Sequence, residues 1–166
     1  MTVTNARAST LAVLVACTAS LIATPAPSAI ASTPSGATAS SVAAGSRARQ
    51  RINAFRARHG VRPLRSSRSL NRSATAYARF MLRRGYFGHQ PRIRASRRFS
   101  MLGETLLLQP GGRARPAEAV HGWAGSPPHR AILLSAGFRQ VGVGTASGRF
   151  RGGRKVTIWV AHVARR

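Results

Sequence analysis

The sequence contains very few acidic residues. Glu104 and Glu118 are the only two among 166 residues, and there is no aspartate. Hydrolysis by a general acid and a general base, which needs two cooperating groups, therefore has few carboxylates to draw on. Because Glu104 lies within the apolar segment 101–108, its carboxylate needs a charged or hydrogen-bonding partner if that segment is buried. We expect His89 and His129 to be those partners.

Cysteine is almost absent, because Cys17 is the only one in the chain. A disulfide framework within the chain is therefore excluded. Residues 1–31 are typical of a signal peptide, with Arg7 before an apolar core and an A-x-A cleavage sequence at Ala29–Ala31. The apolar run is too short and too broken to cross a bilayer. Alternatively, Leu14–Cys17 is a lipobox and a lipid on Cys17 anchors the protein to a membrane. We favour cleavage and secretion.

Lysine is also rare, and almost all of the formal net charge of +25 comes from arginine. Such a charge attracts polyanions, including nucleic acid, anionic membranes and acidic cell walls. Codon bias in a GC-rich genome would produce the same composition without any binding role. The arginines are scattered, and no nucleic-acid-binding motif is present. We therefore do not expect nucleic acid as a partner.

The order of apolar residues predicts four helices and two long strands. Residues 32–46 are rich in Ala, Ser, Thr, Gly and Pro and predict a flexible linker. Apolar residues at helical spacing predict helices at 46–59, 69–84 and 116–124, and a short fourth helix that begins at Pro127 and that Gly137 ends. Alternation predicts strands at 140–145 and 156–163, which pair as an antiparallel hairpin. The segment at 101–108 predicts a short strand that runs into a helical turn.

Four histidine and glutamate positions bear on a site. His129 follows Ser126 and two prolines in the first turn of the fourth helix, where the helix dipole favours the neutral imidazole that binds metal or accepts a proton. His89 follows a loop with two aromatic residues and a glycine, which we expect to hold it in place. Glu118 is predicted on a solvated helix face. His162, near the end of the last strand, is predicted to be structural.

Several short motifs occur in an order that resembles a known family. They include Gly60–Leu64, Phe87–His89, Gly103–Glu104, Ser126–Arg130 and Val141–Gly144. In this order and spacing, residues 48–163 resemble the CAP superfamily, the cysteine-rich secretory, antigen 5 and pathogenesis-related 1 proteins, in its bacterial form. The resemblance implies an α+β fold, an α-β-α sandwich with a small antiparallel sheet between helices. The CAP domain would span residues 47–166.

The resemblance also implies a cleft lined by two histidines and two glutamates. The first histidine falls on His89, the first glutamate on Glu104 and the second histidine on His129. The second glutamate falls on Ser126, so the set is incomplete, and the asparagine that usually follows the first glutamate is Thr105. We expect His89, Glu104, His129 and Ser126 to line the cleft, and the first three to hold a divalent metal such as zinc if one binds.

Three functions follow as hypotheses. The first is a secreted, monomeric CAP-domain protein that binds a cell-wall or extracellular ligand without catalysis, such as an anionic wall polymer or lipid. The second is a metal-dependent hydrolase of the cell envelope, for which a second carboxylate is missing and no short zinc-protease motif is present. The third is a basic polyanion-binding protein, whose binding would depend steeply on salt. We favour the first and expect no enzyme activity.

Overall fold

The structure, a computed structural model, describes residues 36–166, with side chains from residue 39 onward. The predicted signal peptide at 1–31, the alternative lipid site at Cys17 and the first residues of the predicted linker lie outside the described residues. No helix within the described part of the chain is both long and apolar enough to cross a membrane.

The described chain forms four helices and one four-stranded sheet. The elements in chain order are α1 (Gly36–Ala57), β1 (Arg65–Ser66), α2 (Arg68–Arg84), β2 (Met101–Pro110), α3 (Pro116–Gly125), α4 (Pro127–Leu134), β3 (Gln140–Arg149) and β4 (Lys155–Arg165). The strand order is β1-β3-β4-β2. Only the two-residue β1 pairs in parallel, and the long strands are antiparallel. The predicted α+β fold class is confirmed.

The sheet is covered by helices on both faces. On one face α2 packs Ala74, Ala78 and Met81 against a cluster that includes Leu106 and Val160. On the other face α1, α3 and α4 pack around two buried tryptophans, Trp123 and Trp159, whose rings meet edge to face at 6.5 Å. Apolar burial on both faces is the main stabilising contribution, and it explains why the interior of β4 is buried without interruption. These layers are the predicted α-β-α sandwich.

The predicted hairpin of β3 and β4 is confirmed, and its register fixes the site. Val143 lies opposite Ala161, and Gly142 lies opposite His162. On the other side of β4, β2 pairs over its whole length and sets Glu104 directly opposite His162. Directly opposite side chains on a sheet are close enough to interact. The two polar residues therefore meet because of strand register alone.

Two sequence predictions are corrected by the structure. The first helix begins at Gly36 and not near residue 46, so residues 36–46 are helical and are not a flexible linker. Alanine-rich sequence favours helix, and small residues let α1 approach the sheet. Ala44 is buried, and the position of a Cβ on Gly45 would lie 2.5 Å from the Val143 carbonyl oxygen. Ser41 Oγ also donates to the Thr145 carbonyl at 3.0 Å.

The second correction concerns the segment that contains Glu104. It has no helical turn, because residues Met101–Pro110 form one continuous strand. The run of leucines fits either structure by local pattern, since short apolar runs are ambiguous between helix and strand. Pairing with β4 decides the outcome, and every residue from Met101 to Pro110 has a partner there.

Candidate functional site

Glu104 is buried in the sheet and accepts hydrogen bonds from four donors. Its exposed fraction is 7%. Oε1 accepts from His89 Nδ1 at 2.8 Å and from the backbone N–H of Gln90 at 3.3 Å. Oε2 accepts from Gln90 Nε2 at 2.7 Å and from His162 Nε2 at 2.9 Å. Protein donors therefore take the place of water around both carboxylate oxygens, as a buried charge requires.

His162 is the partner that sequence reasoning missed. It was predicted to be structural, and it is fully buried, but it also contacts the carboxylate that His129 was expected to contact. A signal was present in the sequence. His162 interrupts the apolar run of β4 as Glu104 interrupts that of β2, and each buried polar residue needs a partner.

The geometry around Oε2 indicates the tautomer of His162. Gln90 Nε2 also lies 3.1 Å from His162 Nε2. An unprotonated Nε2 and a carboxylate oxygen are both hydrogen-bond acceptors and would repel each other at this distance. Nε2 therefore carries a proton and donates a hydrogen bond to Glu104. Gln90 and His162 then approach each other because both donate to one oxygen. His162 Nδ1 is buried and has no partner in the described residues.

His89 connects this buried cluster to the surface. Its side chain is 60% exposed while Nδ1 remains bonded to Glu104. The preceding loop is held by Tyr77, whose hydroxyl donates to the Gly88 carbonyl at 2.6 Å. Burial, together with the charge of Glu104 and contact with Tyr86, raises the pKa of Tyr77 to about 12, so this donor keeps its proton. His89 is thus oriented by Glu104 and presents Nε2 outward.

The loop before His89 is held differently from the prediction. Tyr86 and Phe87 are 44% and 38% exposed, so neither aromatic residue is a buried anchor. Gly88 does not have the left-handed backbone that would require glycine for a turn. Instead, a Cβ there would collide with the Tyr86 ring, so the absence of a side chain permits close packing.

His129 lies near His89 but does not reach Glu104. The two imidazole ring centroids are 6.3 Å apart. Burial, and then the charge of His89, lower the pKa of His129. The predicted direction of this shift is observed, with burial as its larger cause and the neighbouring His89 as the smaller one. Ser126 precedes α4 as predicted, yet its side chain makes no capping hydrogen bond.

A groove lies beside His89 on the α2 side. It has a volume of about 690 Å³, and Tyr77, Phe80 and Tyr86 line it together with His89. The Tyr77 and Phe80 rings are nearly parallel, with centroids 6.0 Å apart. Arg92 and Arg94, both exposed, also line it. The groove therefore combines aromatic surfaces, positive charge and an oriented imidazole.

Glu118 belongs to a different cluster, which contains neither His89 nor His162. Its side chain is 57% exposed and pairs with Arg115 Nε at 2.6 Å. Its other oxygen accepts from Gln109 Nε2 at 3.1 Å. The buried Gln109 in turn accepts a hydrogen bond from Trp159 Nε1. Glu118 thus lies on an exposed face of α3, as predicted. It does not provide a second carboxylate beside Glu104.

The expected metal ligands do not form a three-ligand set. Among residues 36–166, no three His, Cys, Asp or Glu side chains are arranged to share one metal ion. Both oxygens of Glu104 already accept hydrogen bonds, so this residue orients His89 and is not directed at a metal. A metal near this surface would meet only the imidazoles of His89 and His129. Zinc sites usually have three or four protein ligands.

The hydrogen bonds to Glu104 make the stability of the fold depend on pH. Burial raises the pKa of Glu104, but hydrogen bonds from His162, Gln90 and His89 lower it more, so the net pKa is below its ordinary value. A lowered pKa stabilises the fold above the unfolded pKa of about 4.3, and this contribution is lost as the pH falls through the folded pKa. We expect wild type to lose stability below about pH 4.3 more steeply than Glu104→Gln.

Urea unfolding between pH 7 and pH 3 measures this difference. Glu118 is unchanged in both proteins, so its own titration cancels in the comparison. Parallel curves for wild type and Glu104→Gln would contradict a hydrogen-bonded, ionised Glu104.

Comparison with known proteins shows which family the chain resembles. The family model for the cysteine-rich secretory protein family, CAP, matches residues 49–163. An uncharacterised protein of Bacillus subtilis, YkwD, is 32% identical over 95 residues, which is 51% of this chain and 35% of the relative. The chain thus matches about a third of the length of that curated relative.

Two solved structures share the fold. An extracellular protein containing an SCP domain from Bacillus anthracis superposes with a TM-score of 0.65 at 21% identity, over 81% of this chain and 44% of that one. An outer surface protein from Borrelia burgdorferi superposes with a TM-score of 0.58 at 17% identity, over 71% of this chain and 89% of that one. At these identities the likeness establishes the fold alone.

Proposed function

Because the chain belongs to the cysteine-rich secretory protein (CAP) family, we propose that it is a secreted protein that binds an acidic glycan of the cell envelope without catalysis. The family supplies the fold and not the reaction, so the argument rests on the site. The similar proteins described as extracellular and outer surface proteins are consistent with action outside the cell. The groove beside His89 is the proposed binding site.

One observation carries the proposal: Glu104 is buried and accepts four hydrogen bonds from protein groups. A general base must be free to accept a proton from substrate or water. This carboxylate has a lowered pKa, and its side chain is only 6% exposed. The other glutamate, Glu118, is held by Arg115 and Gln109 in another part of the fold. These contacts support a binding role over hydrolysis by a pair of carboxylates.

The chemistry of the groove fits a sugar ring with a carboxylate close by, on the sugar itself or on an attached peptide. Aromatic faces such as those of Phe80 and Tyr86 cover the apolar side of a ring, and arginine forks pair with carboxylates. The imidazole of His89 adds a hydrogen-bonding group whose orientation Glu104 fixes. Binding sites commonly combine apolar walls with a few oriented polar groups in this way.

The alternative, a zinc-dependent hydrolase, remains a prediction with two supporting features. A carboxylate orients His89, as carboxylates orient many metal-bound histidines, and the His129 ring lies 6.3 Å away. A bound zinc ion would supply a polarised water molecule there. The residues present offer it two imidazoles and no free carboxylate.

Binding of a soluble peptidoglycan fragment, a disaccharide-peptide, tests the proposal by calorimetry. We expect Phe80→Ala to weaken binding roughly tenfold, because the ring would no longer cover apolar surface of the bound sugar, at about 25 cal/mol per Å². Phe87→Ala is the matched control: Phe87 is exposed to a similar degree as Phe80 but does not line the groove. Its affinity should equal that of wild type.

The same samples, with and without added zinc, show whether the fragment or whole wall material is cleaved. We expect no cleavage in either condition. Zinc-dependent release of products that disappears in His89→Ala would establish the hydrolase instead. Equal affinities of wild type and Phe80→Ala for the fragment would mean that it does not bind in this groove.

A further inference from the structure

A second groove lies at one end of the sheet and is lined by arginines. It consists of two adjoining cavities of about 860 and 630 Å³, which share Arg47 and Arg113 in their walls. Arg51 and Arg115 line the larger cavity, and Arg79 lines the smaller one. None of its residues lines the groove beside His89. Three separate parts of the chain, α1, α2 and the loop before α3, thus direct arginines to one place.

The positive charge of this groove is largely uncompensated by protein carboxylates. The sequence has only two acidic side chains, and Glu104 is buried with its histidines in the other site. Glu118 does line the larger cavity, but it pairs with Arg115 at 2.6 Å. Arg47, Arg51, Arg79 and Arg113 therefore have no carboxylate to neutralise them. Pro116 also lines both cavities and begins α3, whose positive dipole end adds to the field.

We propose that this groove binds an extended, phosphate-linked polymer, and that it does so independently of the groove beside His89. Arginine pairs with phosphate through two parallel hydrogen bonds, and several arginines along a groove suit a repeating anion. The two adjoining cavities provide space for more than one repeat. A single small anion would leave most of these arginines without a partner.

The lining favours a polymer without bases over nucleic acid. Neither cavity is lined by an aromatic residue, and its uncharged walls are mostly small residues, such as Ser40, Ala44 and Gly112. Proteins that bind single-stranded nucleic acid usually stack bases on aromatic side chains. A thin chain such as poly(glycerol phosphate) needs only space for its backbone and cations for its phosphates. The lining of the groove, with arginines and small residues, fits such a polymer.

Binding of fluorescent poly(glycerol phosphate) to the full-length chain over a salt series tests the inference. We expect the double variant Arg47→Gln/Arg113→Gln to bind about tenfold or more weakly, with a salt dependence reduced by about one to two in log–log slope. The charge-matched control is Arg97→Gln/Arg98→Gln, in exposed residues that line neither groove. It should bind within about threefold of wild type. All four arginines are exposed, so unchanged melting temperatures will show that the variants are folded.

Two results would overturn the inference. Equal losses in the groove variant and the control would mean that net charge alone attracts the polymer. Tighter binding of oligothymidylate than of poly(glycerol phosphate), lost only in the groove variant, would identify nucleic acid as the ligand class. The peptidoglycan fragment should bind both double variants normally, which separates this site from the groove beside His89.

Discussion

His162→Ala should destabilise the fold by about 3–5 kcal/mol, one of the two largest effects we expect. The substitution removes a donor from the buried Glu104 carboxylate and leaves a cavity where the fully buried imidazole was. Losing one partner of a buried polar pair costs this much because the remaining charge cannot reach water. Since domains of this size are stable by about 5–15 kcal/mol, the variant should be partly unfolded under mild conditions. Urea unfolding at pH 7 measures the change.

His89→Ala provides the comparison, because it removes a donor from the same carboxylate. His89 is 60% exposed, so water can take its place, and we expect a loss of only about 1–2 kcal/mol. The test is whether His162→Ala loses more unfolding free energy than His89→Ala, and this comparison matters more than either value. Equal losses, or a larger loss for His89→Ala, would mean that His162 does not hold Glu104 in the folded protein.

Gly144→Ala should destabilise the fold by about 3 kcal/mol or more, the second large effect. A Cβ at this position would overlap the backbone of Ala74 and Thr75 in α2, and backbone cannot move aside as a side chain can. The helix would have to move away from the sheet and open the packing of that face. The melting temperature and the free energy of unfolding in urea both report this change.

Gly148→Ala is the matched control on the same strand. There the added Cβ would meet only the flexible side chain of Leu82, at 3.1 Å from its nearest atom. We expect stability within about 1 kcal/mol of wild type, since removing a strand glycine also lowers the entropy of the unfolded chain. A similarly large loss in this variant would mean that strand glycines matter for a reason other than the approach of α2.

The sequence predicted those parts of the fold that depend on local pattern. The bounds of α2, the start of α4 after Ser126 and the β3–β4 hairpin follow from apolar spacing and turn residues. The start of α1 could not be predicted in this way. Its first turns are rich in small residues whose role is to let α1 approach Val143 and Thr145, which are a hundred residues away in sequence.

The site was predicted in part, for the same reason. The argument that Glu104 needs a partner is local, and it correctly led to His89. The choice between His129 and His162 depends on strand register, which pairs β2 with β4 and sets Glu104 opposite His162. Local pattern does not specify that register, because both strands carry apolar residues on both faces of the sheet. The role of Gln90 likewise depends on the course of a loop with no regular structure.

The most direct test of the central claim, that protein donors immobilise Glu104, is the protonation of the histidine rings seen by long-range proton–nitrogen NMR. At pH 7 we predict that His162 carries a proton on Nε2 and His89 carries one on Nδ1, because each nitrogen donates to the carboxylate. A His162 protonated on Nδ1 alone, with a bare Nε2, would contradict the account.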